Sequence, residues 1–196
     1  MTRISGRSSG LAVKLAGFFT RRLFTRLTGH KSEAMTEPLE IYARAPGVML
    51  AYGMVEMATA RLHRVDKRLM YLAELKAATL TNCEYCIDLG SQVARHSGLR
   101  DDELLALPDY RSSPLFTDVE KLVLDYAVGI SRTPVDVPAE LFAELREHFD
   151  DTQLVELTHT IALENHRGRF NRALDVGAAG FSAGMVCAVP ITRGQG

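Results

Sequence analysis

Residues 72–88 read LAELKAATLTNCEYCID, and within them an apolar helical run gives way to a pair of cysteines. Cys83 and Cys86 form a C-x-x-C motif, a spacing at which two helical thiols can close a disulfide or share a soft metal ion. Asn82 is a preferred N-cap residue, so we expect it to start a helix that ends near Gly98. Cys83 would then lie in the first turn, where unpaired N–H groups and the helix dipole favour a thiolate.

The cysteine pair is more consistent with redox chemistry than with a metal site. A structural zinc ion needs four ligands, and the chain has no second C-x-x-C or C-x-x-H pair, so we expect no metal and no other cofactor. The chain shows no secretion signal, so we expect a reducing, cytoplasmic compartment. The structural alternative is that both thiols are simply buried between helices.

Helical periodicity continues along the whole chain, without a strand pattern or a glycine-rich phosphate loop. The predicted helices are Pro38 to Ala45, Pro46 to His63, a segment capped by Asp66, the cysteine helix, a short helix opening at Asp101, Thr117 to Ile130, Pro138 to His148, and a long helix capped by Asp150 or Asp151 that ends near Val176. These elements predict an all-α helical bundle. We expect an N-terminal arm over residues 1–37, a helical domain over 38–178 and a packing tail over 179–196.

Composition argues against a nucleic-acid partner, because the chain of 196 residues has a net charge of only −1. The first 32 residues are different, since they contain seven basic residues and no acidic one. Their apolar run is too short to span a membrane. We expect this arm to pack on the body or on a neighbouring subunit, and the alternative is a weak membrane-surface contact.

Polar residues in two predicted helices are further candidates for chemistry. Glu74 stands among apolar neighbours, where desolvation would disfavour its ionised form and suit it to acid–base catalysis, although an ion pair would satisfy it equally well. In the last helix His166 could move a proton, and Arg167 or Arg169 could hold an acidic group. These four residues would also suit a lyase or isomerase that acts on a small cyclic acid. The alternative for the last helix is a structural hydrogen-bond network.

The run from Leu72 to Asp88 resembles the carboxymuconolactone decarboxylase and alkylhydroperoxidase D-like family, and so does the second half from Phe116 to Thr158. The resemblance covers roughly residues 40–178 and implies an all-helical homo-oligomer with its active site around the cysteine helix. In peroxidase-type members the second cysteine attacks the peroxide, the first resolves it as a disulfide, and a reductant protein restores the thiols. This order makes Cys86 the attacking thiol, whereas the helix-start argument favours Cys83, so both orders stay open.

The chain departs from the peroxidase-type pattern at the three residues of the proton relay. Tyr71 replaces a glutamate, Tyr85 replaces a histidine between the cysteines, and Gly90 replaces a second histidine.

Glu74, Tyr85, Asp88 or His166 could form a different relay, with Tyr71, Arg167 and Arg169 as auxiliary polar groups. We therefore predict a thiol-dependent peroxidase or disulfide oxidoreductase, with a peroxide or other small molecule as substrate and a protein or small dithiol as reductant. The alternatives are a lyase of the decarboxylase type and a non-catalytic oligomeric binding protein.

Overall fold

The computed structural model describes residues 2–6, 11–28 and 33–188, and over these ranges it contains helices, turns and no strand. The all-α fold class is thereby confirmed. The α-helices are α1 (Leu11–Thr28), α2 (Glu37–Tyr42), α3 (Pro46–Thr59), α4 (Lys67–Leu80), α5 (Glu84–His96), α6 (Asp101–Ala106), α7 (Asp118–Ser131), α8 (Ala139–His148) and α9 (Asp151–Ala173), with a 3-10 turn at Glu33–Thr36 before α2.

Helix α4 lies at the centre and packs against α5, α7 and α9. Different faces of α4 contribute residues to two separate apolar clusters. Leu72 and Leu75 face the cluster that contains the cysteines, while Ala73 and Ala77 face the cluster formed with α7, α8 and α9. The two small alanines let neighbouring helices approach closely, which explains why almost every residue from position 72 to 79 is buried.

Three of the predicted helix starts are confirmed by their side-chain caps. The Arg68 N–H donates to Asp66 at 2.8 Å, and the Gln153 N–H donates to Asp150 at the same distance. Before α7, the N–H of Thr117 donates to Glu120 at 2.8 Å and the Thr117 hydroxyl accepts from the Glu120 N–H, which completes a capping box. Local hydrogen bonds of this kind depend on sequence neighbours, so the sequence predicts them well.

The prediction that Asn82 caps the cysteine helix is wrong. Asn82 has a φ of 52° and ends α4 instead, because its N–H bonds to the Thr79 carbonyl while the Cys83 N–H bonds to the Ala78 carbonyl. This is a Schellman motif with asparagine in the left-handed position. Cys83 is the N-cap of α5 rather than a first-turn residue, and its sulfur accepts the Cys86 N–H at 3.2 Å.

Helix α9 is shorter than predicted for a similar reason. It ends at Ala173 rather than near Val176, because Asp175 adopts a φ of 61° and the Val176 N–H turns back to the Asn171 carbonyl. The predicted α3 likewise ends early, at Thr59 rather than at His63.

The N-terminal arm includes a helix that contacts the body of the protein. Helix α1 packs against α5 and the segment that leads into α2, and it leaves Leu15, Phe18 and Phe19 exposed. No helix in the described ranges is both long and apolar enough to cross a membrane. The end of the predicted tail, residues 189–196, lies outside the described residues.

Helix α9 crosses the end of α4 at Gly168, where the two backbones come very close. A Cβ atom at position 168 would lie 2.7 Å from the Thr81 Cβ, closer than side chains pack. We predict that Gly168→Ala lowers the free energy of unfolding by about 2 kcal/mol, because the crossing must open. Urea denaturation measures this change.

Gly53→Ala in α3 is the matched control, since a Cβ atom there would meet nothing within 4 Å. Replacing a helical glycine at an open position should stabilise the protein by roughly 0.5–1 kcal/mol. Equal effects of the two substitutions would contradict the close crossing at Gly168.

Candidate active site

The Cys83–Cys86 pair lies at disulfide distance where α4 ends and α5 begins. Their Cα atoms are 5.2 Å apart, within the usual range for a disulfide. Cys83 is completely buried, whereas Cys86 keeps 8% of its surface exposed. Both cysteines are therefore buried, and Cys86 is the less enclosed residue of the two.

Asn171 on α9 contacts both sulfurs. Its side-chain amide nitrogen lies 3.6 Å from the Sγ of Cys83 and 3.6 Å from the Sγ of Cys86. The close crossing at Gly168, one turn earlier on α9, brings this amide to the pair. Asn171 was not among the predicted site residues. The available signal was its helical spacing of four residues from Arg167.

Glu74 belongs to a cluster of three carboxylates around one arginine. The Arg167 guanidinium donates to Glu56 at 2.9 and 2.6 Å, to Glu74 at 3.1 Å and to Glu164 at 3.0 Å. We call these four residues the acidic cluster. Their side chains are only 7–34% exposed, with Glu164 the most buried. Because three carboxylates already occupy Arg167, it is poorly suited to holding an acidic substrate.

Burial and the shared arginine shift the pKa values of the carboxyl groups in the acidic cluster in opposite directions. Desolvation raises the pKa of Glu164 to about 7, although Arg167 opposes the change. Desolvation also raises the pKa of Glu74. For Glu56 burial acts in the same sense, but its hydrogen bonds from Arg167 outweigh it and hold the pKa below the usual value. The Oε1 atom of Glu164 has no hydrogen-bond partner among the described residues, which fits a carboxyl group that is readily protonated.

His166 and Arg169 lie on an outer face of α9, apart from the contacts made by Asn171. The His166 ring is exposed and its Nε2 lies 3.1 Å from the Tyr42 hydroxyl. Tyr42 in turn stacks on Phe170 at 4.1 Å between ring centroids. Arg169 is also exposed and donates to the Thr133 hydroxyl at 2.9 Å. These contacts fit the structural alternative for the last helix.

Asp88, a candidate for the proton relay, is bound by the backbone of the C-terminal segment. Its carboxylate accepts the N–H groups of Ala179, Gly180, Phe181 and Ser182 at 2.6–3.0 Å. Both oxygens of the carboxylate are therefore engaged by backbone donors. The geometry supports a structural role, in which Asp88 fastens residues 179–182 to α5.

The two tyrosines at relay positions also make contacts that serve the fold. The Tyr85 hydroxyl donates to the Met35 carbonyl at 2.6 Å, and burial raises the pKa of Tyr85 strongly. Tyr71 is half-buried, and desolvation followed by the Glu74 charge raises its pKa. At position 90, where the family pattern has a histidine, a Cβ atom would meet the Leu75 side chain at 3.2 Å. The usual relay positions therefore present no titrating group suited to the thiols near neutral pH.

Metal binding is not supported within residues 2–6, 11–28 and 33–188. Among these residues no group of three or more histidine, cysteine, aspartate or glutamate side chains is arranged to hold a metal ion.

The fold and the cysteine pair define an all-helical protein of the alkylhydroperoxidase D-like type with a two-cysteine site. The chain belongs to the carboxymuconolactone decarboxylase family, whose model matches residues 46–128. The uncharacterized protein YnjA of Escherichia coli strain K12 is 37% identical over 169 residues, which cover 84% of this chain and 87% of that protein. The uncharacterized protein YdfG of Bacillus subtilis strain 168 is 26% identical over 74% of this chain and 99% of its own length.

Solved structures support the same fold. The debrominase Bmp8 superposes with a TM-score of 0.75 at 16% identity, covering 92% of this chain and 94% of that chain. An uncharacterized peroxidase-related protein of Ralstonia eutropha JMP134, described as an alkylhydroperoxidase AhpD core, has a TM-score of 0.70 at 14% identity and covers 90% and 92% of the two chains. At these identities the likeness concerns the fold alone.

The raised pKa of Glu164 predicts how stability depends on pH. A carboxyl group whose pKa rises from 4.5 to about 7 on folding holds a proton that the unfolded chain releases. Its stabilising effect is complete below pH 4.5 and is lost as the pH rises through about 7. Relative to Glu164→Gln, the native protein should lose about 3 kcal/mol of unfolding free energy across this window.

Urea denaturation at intervals from acid to slightly alkaline pH tests this expectation. Glu147→Gln, an exposed change on α8, is the control and should leave the pH dependence unaltered. Parallel pH profiles for the native protein and Glu164→Gln would show that Glu164 does not retain its proton.

Proposed function

We propose that this protein is a thiol-dependent peroxidase, and more broadly a disulfide oxidoreductase, that cycles Cys83 and Cys86 between dithiol and disulfide. The observation that carries the proposal is the placement of both cysteines at disulfide distance at a helix start, with Cys86 the less buried residue of the two. At this helix start the Cys83 sulfur accepts the Cys86 N–H, and backbone donors of this kind favour an ionised thiol. Membership of a family with peroxidase-related structural neighbours supports the same chemistry.

Cys86 attacks first in this proposal. It is the more exposed thiol, and it lies within the first turn of α5, while Cys83 is enclosed. The Cys86 thiolate attacks the nearer peroxide oxygen, the O–O bond breaks, and the departing alkoxide or hydroxide takes a proton from water. Cys86 is then a sulfenic acid. The Cys83 thiol condenses with it, which forms the disulfide and releases water.

A dithiol reductant closes the cycle. One of its thiolates attacks the Cys86 sulfur, and the electron pair of the S–S bond passes to Cys83, which leaves as a thiolate. The second thiol of the reductant then releases the mixed disulfide, so that two electrons and two protons pass from the reductant to the protein. Cys83 suits the leaving role, because its sulfur already accepts the Cys86 N–H at 3.2 Å.

The lyase alternative receives less support from the geometry. It needs an arginine free to hold a carboxylate substrate, but Arg167 is bound by three internal carboxylates and Arg169 points to Thr133 on the surface. His166, its proposed base, interacts with Tyr42 instead.

Partners beyond the peroxide and the dithiol are also proposals. A homo-oligomer could form through α3, which buries none of its residues and exposes Leu50, Met54 and Met57. A weak contact with an anionic membrane surface could form through α1, where exposed Phe18 and Phe19 share a helix with basic residues.

Substituting each cysteine separately tests the proposed cycle. We predict that both Cys83→Ser and Cys86→Ser reduce peroxide turnover with a dithiol reductant to the background rate. Cys83→Ser should still consume one equivalent of peroxide and form a sulfenic acid at Cys86, which a dimedone probe detects by mass spectrometry. Serine is itself a good N-cap, so this variant should keep the start of α5.

Cys187→Ser is the matched control, because Cys187 is a free thiol outside the pair and its loss should leave turnover intact. Normal turnover by both single variants of the pair would exclude the proposed cycle. Since Bmp8 is a debrominase whose variant was solved with 2,3,4-tribromopyrrole, that compound belongs among the substrates tested. Turnover of the bromopyrrole without turnover of peroxides would redirect the proposal to thiol-dependent dehalogenation.

A further inference from the structure

Asn171 is placed to interact with both sulfurs of the cysteine pair at once. Its amide nitrogen lies 3.6 Å from each Sγ, and only 4% of the residue is exposed. A primary amide carries two N–H bonds, so one nitrogen can donate to both sulfurs. The contact is therefore built into the site and shielded from solvent.

The position of Asn171 is fixed by the backbone on both sides. Before it, α9 presses against Thr81 at Gly168. After it, the Val176 N–H returns to the Asn171 carbonyl, and the Arg3 N–H bonds to the Leu174 carbonyl at 2.9 Å. The end of α9 is therefore held by contacts that do not involve the cysteine sulfurs.

A hydrogen bond to sulfur gains strength when the sulfur becomes charged. A disulfide sulfur is a weak acceptor, whereas a thiolate is an anion and accepts a charge-assisted hydrogen bond. The same amide therefore stabilises the opened, ionised pair more than the disulfide. This difference lowers the pKa of the thiol and makes the disulfide easier to reduce.

We propose that Asn171 is a catalytic residue of this site, which donates a hydrogen bond to the thiolate of Cys86 during attack on the substrate and to the thiolate of Cys83 when the disulfide is opened. This inference rests on the proposed thiol–disulfide chemistry. It identifies a group that stabilises the thiolates without gaining or losing a proton, at a site where positions 71, 85 and 90 provide no acid or base for the purpose.

Asn171→Leu removes the donor and keeps a similar volume. We expect the pH midpoint for alkylation of the reduced pair by iodoacetamide to rise by about one unit, which is a tenfold lower thiolate fraction below the midpoint. The equilibrium with oxidised and reduced dithiothreitol should shift at least severalfold towards the protein disulfide. Asn171→Asp places a carboxylate oxygen against the thiolate and should move both readouts further in the same direction.

Asn165→Leu is the matched control on the same helix. Asn165 is buried and donates to the Ser131 hydroxyl and the Ile161 carbonyl, so its loss perturbs α9 without touching the sulfurs. It should leave the alkylation midpoint and the dithiothreitol equilibrium unchanged. If a folded Asn171→Leu or Asn171→Asp also leaves both unchanged, the proposed role of Asn171 is refuted.

These readouts need no peroxide, so they separate the two proposals. Shifted midpoints in the Asn171 variants together with absent peroxide turnover in the native protein would uphold the role of Asn171 and reject the peroxidase activity. Peroxide turnover by the native protein together with unshifted alkylation midpoints in the Asn171 variants would uphold the peroxidase activity and reject the role of Asn171.

Discussion

The structure depends on Cys83, whose hydrogen bonds both end α4 and start α5. The Cys83 N–H donates back to the Ala78 carbonyl and closes α4, while the Cys83 sulfur accepts the Cys86 N–H at the start of α5. Because both hydrogen bonds involve Cys83, only Thr81 and Asn82 lie between the end of α4 and the N-cap of α5. The second cysteine therefore falls within the first turn of α5, where its sulfur can reach the first.

Two other parts of the chain, α9 and the C-terminal segment, contact this junction and the helix that follows it. Helix α9 presses on Thr81 just before the turn, and the Asn171 amide reaches over both sulfurs. On the far side, Asp88 fastens the C-terminal segment along α5 through four backbone N–H groups. These contacts explain why both cysteines are buried, although the motif lies at the junction of two helices rather than inside one.

The sequence predicts the parts of this arrangement that depend on neighbours along the chain. The helical class, the caps at Asp66 and Thr117 and the cysteine spacing all follow from local patterns. Asn82 fails as a predicted cap because asparagine suits both a helix start and a left-handed helix end, and only the bond from Cys83 to Ala78 distinguishes them. Contacts across the fold are harder to predict: helical spacing groups Asn171 with Arg167, but it does not indicate that the amide meets the sulfurs.

The acidic cluster and the cysteine pair are both contacted from α9, through Arg167 and Asn171. Arg167 precedes Asn171 by four residues, so the two side chains project from the same face of the helix. The three carboxylates and Arg167 carry a formal charge of −2 when all are ionised. Protonation of Glu164, whose pKa desolvation raises to about 7, halves that charge. Because like charges repel, a neutral Glu164 makes this face of α9 less unfavourable for a further negative charge than an ionised Glu164 does.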